Sequence, residues 1–202
     1  MAELPNVIQP NDYELKENIN LKGKWNKDFF KNNNPIVLEL GCGKGEYAVS
    51  LAERYPDKNF IGIDIKGNRM WVGASDSYEK KMINIAFLRI RIENIIRCFE
   101  KDEVSEIWIT FPDPQIQRRR SNKRLTHPNF LEKYKSFLHK NGVINLKTDS
   151  SFLYGYTLGI IEGKNYQLLD CTNDLYGVHQ IRKDMDIITH YEKIYLKKNI
   201  PI

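Results

Sequence analysis

A chain of 202 residues, 41% hydrophobic and 28% charged, has room for one buried core, and its make-up excludes a disordered or fibrous protein. Its formal net charge of +5 permits a phosphate-bearing partner without requiring one. Three widely separated cysteines (Cys42, Cys98, Cys171) exclude a disulfide framework, and with His127, His139, His179 and His190 they complete no zinc pattern. No metal, membrane span or signal peptide is expected, so the chain reads as cytoplasmic.

The first residues are polar and weakly periodic, and Asn32-Asn33-Asn34-Pro35 reads as a loop. Residues 1–34 are expected to form an N-terminal arm with a short helix near 25–30, and residues 35–202 the main domain. From there the pattern alternates. Strands are predicted over 36–40, 59–63, 85–88, 106–110 and 143–146. Helices are predicted over 46–55, 70–81, 92–99, 127–139 and 152–161, the 127–139 helix on the near-3.6 spacing of Phe130, Leu131, Tyr134, Phe137 and Leu138. Two later strands, 166–171 and 190–196, flank a polar loop over 172–188. The expected fold class is α/β: a mostly parallel seven-stranded sheet with helices on both faces and an antiparallel C-terminal edge strand. In such sheets ligands sit beyond the carboxyl ends of the strands, so residues that follow strands are the candidates.

Glu39-Leu40-Gly41-Cys42-Gly43-Lys44-Gly45 follows the first of these strands and opens a helix. Gly41, Gly43 and Gly45 let the backbone turn sharply and approach a ligand, but GxGxG is neither a dinucleotide fingerprint nor a P-loop. Asp64 ends the next strand, a distance that suits a carboxylate accepting from two ribose hydroxyls. Two carboxylates suit a cofactor with a cationic end and a ribose, such as S-adenosylmethionine. A tight turn without ligand is the plainer reading of the glycines alone. Glu93 follows the third strand, where an acid or amide suits an adenine edge.

Asp113 follows the fourth strand inside Pro112-Asp113-Pro114, whose prolines stiffen the turn. Arg118, Arg119, Arg120, Lys123 and Arg124 come next, a cluster that suits a polyanion. Asp149 follows the fifth strand. The plainer readings are turn chemistry for Asp113, a helix cap for Asp149 and a solvated face for the cations.

ELGCGKGEY, IGIDIK, FPDP, the basic run, RLTHP, LKTD and Thr189-His190-Tyr191-Glu192 occur in that order. Together they resemble the bacterial tRNA (guanine-N7-)-methyltransferases, from about residue 36 to 195. The resemblance implies a Rossmann-like class I methyltransferase that uses S-adenosylmethionine to methylate N7 of a variable-loop guanine in tRNA. It implies cofactor roles for Glu39, Asp64, Glu93 and Asp113, with Asp113 also the catalytic acid position. It puts Gln117, Asp149, Thr189, His190, Tyr191 and Glu192 at substrate positions and Arg119 to Arg124 in the segment that meets RNA, Arg118 lying beside it. The expected partner is tRNA, with no membrane and no metal, for a monomer or homodimer. Gln115-Ile116-Gln117 departs from the family's Trp-Pro-Lys, leaving neutral Gln117 where a lysine is expected. Two rivals remain: a methyltransferase acting on a small molecule or protein, and a non-catalytic RNA-binding subunit.

Overall fold

The strands at the centre of the sheet are apolar almost throughout, as parallel strands covered on both faces must be. In a computed structural model, which describes residues 4–177 and 181–202, all five residues of β2 (Ile36–Leu40) are buried. Beside it lie β3 (Asn59–Asp64) and β5 (Val104–Thr110), both parallel to it. With β1 (Val7–Ile8), β4 (Ile85–Arg89) and β6 (Leu138–Lys147) they form one six-stranded parallel sheet in the order β1-β4-β3-β2-β5-β6. The order reverses between β2 and β5, so the ends of these two strands, Leu40 and Thr110, border the switch point where α/β sheets take ligands.

The chain divides into two compact units. The first holds residues 1–110 and 133–145, and so nearly all of the sheet. Here α2 (Glu46–Arg54) buries Tyr47, Ala48, Val49, Leu51 and Ala52 and stops before Pro56, which disfavours helix in the residue ahead of it. Next, α3 (Gly67–Glu79) buries Met70, Gly73, Ala74 and Ser77, and a 3-10 turn, Ile92–Arg97, follows β4. The N-terminal segment also packs in this unit. Val7–Ile8 adds to the edge of β4, Asn6 donates to the Ala74 carbonyl and Ser77, and α1 (Asp12–Lys16) is closed by an Asn11–Glu14 capping box. The helical turn expected near 25–30 is a π-helical segment, Trp25–Phe30. Its fully buried Trp25 stacks on Phe99 and donates to the Cys98 carbonyl.

The second unit holds residues 111–132 and 146–202. It contains a 3-10 segment, Arg118–Lys123, most of α4 (Pro128–Lys135), α5 (Ser151–Gly163) and α6 (His190–Lys197). Two sequence expectations fail here. The predicted strand over 190–196 is helix α6, because Thr189 and Glu192 make a reciprocal capping box that starts a helix. The predicted strand over 166–171 is irregular, with Leu168 and Leu169 both exposed and therefore no buried face to pair on. The described residues therefore hold six strands, all parallel, instead of seven with an antiparallel edge. Part of the 172–188 loop, His179 included, lies outside the described residues. No helix among the described residues is long and apolar enough to cross a membrane.

Candidate functional site

In the first unit, the glycine turn joins β2 to α2 with φ of +75° at Gly41, +55° at Gly43 and +74° at Gly45. The three do not do the same thing. A Cβ on Gly45 would lie 2.6 Å from the Phe87 ring, so that glycine is required by packing. A Cβ on Gly41 would meet nothing within 4 Å. The backbone at Gly41 is therefore bare toward open space, as a turn that receives a ligand needs.

Three carboxylates, Glu39, Asp64 and Glu46, act on one another at this turn. Asp64, at the end of β3, accepts from the Gly43 N–H at 2.9 Å and the Lys66 N–H at 2.8 Å. Glu39 is only 4% exposed. One of its oxygens accepts the Ala48 N–H at 2.9 Å and so caps α2 from the neighbouring strand, since Gly45 has no side chain to do it. The other accepts the Thr110 hydroxyl at 2.6 Å, across the switch point. Burial pushes the Glu39 carboxyl up from 4.5 to about 7, the two hydrogen bonds oppose this, and the charges of Asp64 and Glu46 add to it. No cation among the described residues offsets it. Burial pushes the Cys42 thiol well above its usual range, and the charges of Glu39 and Asp64 add to this. Glu93 lies half-buried in the 3-10 turn after β4, and its carbonyl accepts the Lys133 ammonium at 2.6 Å. An electronegative turn with bare backbone fits a ligand carrying positive charge and a ribose.

In the second unit, Asp113 is exposed and its Oδ1 accepts the Gln115 N–H at 2.9 Å. The residues on either side of Pro112-Asp113-Pro114 are held in the left-handed region, Phe111 at φ +47° and Gln115 at φ +46°. Non-glycine residues in that region store strain that the surroundings must sustain. The Phe111 N–H donates to the Lys147 carbonyl at 2.8 Å, which anchors one side of the turn. Arg118, Arg119, Arg120 and Lys123 are exposed, as a phosphate-gripping run requires. Arg124 is not. It is 6% exposed and turned inward onto backbone carbonyls, because the aromatic rings of α5 offer its guanidinium a seat. Gln117 is exposed and its side-chain oxygen accepts from Arg119 at 3.0 Å.

Asp149 does not cap α5: the cap is Ser150, whose hydroxyl accepts from the Leu153 N–H. Asp149 instead takes a hydrogen bond from Tyr195, whose phenol is pushed up, first by burial and then by the Asp149 charge. His190 and Tyr191 are exposed on the first turn of α6. Thr189 and Glu192 are buried in the capping box. Glu192 is fully buried, with Oε1 at 2.6 Å from both the Lys147 ammonium and the Tyr176 hydroxyl, and Oε2 accepting the Thr189 N–H at 3.2 Å. Lys147 also donates to the Met185 and Ile187 carbonyls. Its ammonium is pushed below its usual range by burial, against the pull of Glu192.

Residues 33–202 match the family model described as "Putative methyltransferase". The chain is 53% identical to the tRNA (guanine-N(7)-)-methyltransferase of Christiangramia forsetii, over 98% of this chain and 89% of that protein. It is 49% identical to the protein of the same name from Bacteroides fragilis, over 100% of this chain and 80% of that protein. The chain belongs to the tRNA (guanine-N7-)-methyltransferase family. Among solved structures it is similar to an antibiotic-related methyltransferase, with a TM-score of 0.55 and 14% identity over 78% of this chain and 81% of that one, a likeness of fold alone.

Within the family frame, Thr110, Lys147, Tyr176 and Tyr195 are the residues sequence reasoning missed. Thr110 was legible in principle as a hydroxyl closing the apolar run Ile107-Trp108-Ile109. Thr189-x-x-Glu192 carried the signal of a helix start. Nothing local marks Lys147 as the partner of a carboxylate 45 positions later.

Proposed function

We propose that this chain transfers the methyl group of S-adenosylmethionine to N7 of a variable-loop guanine in tRNA. The observation that carries the reading is the match, over almost the whole chain, to relatives bearing that name. S-adenosylmethionine, when bound, supplies a methyl group already activated by a sulfonium. Glu39 and Asp64 hold its cationic and ribose parts at the bare glycine turn of Gly41, Gly43 and Gly45, and Glu93 reads its base.

Guanine N7 is an acceptor with an exposed lone pair and no proton, so the reaction needs no general base. The protein's work is alignment and electrostatics. One oxygen of Asp113 is engaged by Gln115 and the other has no partner among the described residues, so it accepts from guanine N–H groups. Its charge opposes the positive charge that develops on the purine. Gln117, Asp149, His190 and Tyr191 lie on the substrate side, while Thr189 and Glu192 support them by fixing the start of α6. Arg118, Arg119, Arg120 and Lys123 hold the phosphates of a folded RNA. The enzyme works in the cytoplasm as a monomer or homodimer, without a metal.

Incubation with labelled S-adenosylmethionine and, separately, bulk tRNA, protein and metabolites tests this reading. Label is expected in tRNA, as N7-methylguanine. Label in protein or metabolites alone would support the first rival. Gln117 is the one feature that favours a non-catalytic RNA-binding subunit, and absence of cofactor binding by calorimetry would support that second reading.

A further inference from the structure

Arg124 ends the basic run, yet it differs from every other cation in it. Its Nε and Nη2 both donate to the Gln115 carbonyl, at 3.2 and 3.1 Å, and Nη2 also reaches the Ile116 carbonyl at 3.4 Å. Its guanidinium lies over two rings of α5, 4.8 Å from the Phe152 centroid and 4.4 Å from the Tyr156 centroid. Those rings are themselves stacked, with planes 16° apart. With Nε and Nη2 committed to backbone carbonyls and the guanidinium face covered by two rings, Arg124 is 6% exposed. The residue it grips is the strained one. Gln115 sits at φ +46°, and its own N–H donates to Asp113. A continuous chain therefore runs from the α5 rings through Arg124 and Gln115 to the Asp113 carboxylate.

We propose that Arg124 is a positioning residue, which holds the Asp113 carboxylate in place through the Gln115 backbone, and that it is not a phosphate contact. The inference rests on the proposed role of Asp113 in methyl transfer. It separates the basic run into two kinds of residue: four that meet RNA and one that faces the interior and fixes the turn before them.

Arg124→Lys keeps the charge but loses the planar fork and the stacking. It is expected to lower kcat about 10–100-fold, the scale of a small misplacement of a reacting group. KM for tRNA and the slope of log Kd against log salt are expected to stay at the parent values, and the Gln115 amide is expected to exchange hydrogen faster. A parent-like kcat would overturn the proposal. So would a salt slope reduced by about 0.7–0.9, the signature of one lost phosphate contact. If Arg124→Lys does not fold, Phe152→Leu removes one ring face and leaves Arg124 in place. Faster exchange at Gln115 with a smaller fall in kcat supports the clasp, and no change in either overturns it. If the parent protein methylates no tRNA, the proposed function falls, while Gln115 exchange still decides whether the clasp exists.

Discussion

Glu39 and Glu192 are both buried, and each gives an oxygen to an N–H at the start of a helix, Glu39 to Ala48 in α2 and Glu192 to Thr189 at the cap of α6. Their remaining partners differ in kind. Glu192 faces the Lys147 ammonium and the Tyr176 hydroxyl, each at 2.6 Å. Glu39 accepts from the Thr110 hydroxyl and has no ammonium or guanidinium bound to it among the described residues, and burial, with the charges of Asp64 and Glu46 adding to it, pushes its carboxyl up to about 7. A buried carboxylate with its counter-charge in place is closed and structural. A buried carboxylate without one keeps a demand for positive charge, which a cationic ligand satisfies. The same residue type thus closes a latch in one unit and, in the other, sits where the proposed function puts the cationic cofactor.

The largest expected effect lies in the latch. Lys147→Met leaves the Glu192 charge buried and uncompensated, and is expected to cost about 3–5 kcal/mol in denaturant unfolding. Adding Glu192→Gln removes the second charge while keeping a side-chain oxygen as acceptor, and is expected to recover part of that loss. A single variant as stable as the parent would break the comparison.

Glu39 is expected to respond in the opposite way. Its folded pKa lies above its ordinary 4.5, so the fold favours the protonated form. The stability it contributes is full below pH 4.5 and is lost as pH rises through about 7, on the order of 3 kcal/mol over that window. Glu39→Gln is expected to flatten this part of the pH–stability curve of the free protein. It is also expected to weaken S-adenosylmethionine binding about 10–100-fold by calorimetry, the scale of one charge-assisted hydrogen bond. A variant that binds as tightly as the parent would assign Glu39 to capping alone. Thr110→Val sharpens the point more gently. Without the hydroxyl that lowers the Glu39 pKa, the pH step is expected to move upward, and stability at neutral pH to fall by about 1 kcal/mol. The smallest effects belong to the exposed cations: Arg119→Gln or Arg120→Gln is expected to reduce the salt slope of tRNA binding by about 0.7–0.9, with catalysis at saturation little changed.

The glycine turn and its acids were legible because they are local: a strand, three glycines and a carboxylate about 20 positions on specify the geometry among near neighbours. Strand β1 was not legible, since two residues, Val7 and Ile8, show no period. Helix α6 was misread because Ile194 and Leu196 alternate like a strand, and this outweighed the Thr189–Glu192 capping box. The role of Arg124 was hidden by its neighbours. Charge clustering treats five cations alike, and only the positions of Phe152 and Tyr156, an i, i+4 pair on a later helix, turn one of them inward. Glu192 shows the same limit, because its partner Lys147 is distant in sequence.

The most direct test compares the parent protein and Asp113→Ala side by side, measuring methyl transfer to tRNA guanine N7 and cofactor affinity in the same preparations. The parent is expected to place label at guanine N7, and Asp113→Ala to lose nearly all turnover while its cofactor affinity falls far less. Near-normal turnover in Asp113→Ala would contradict the account.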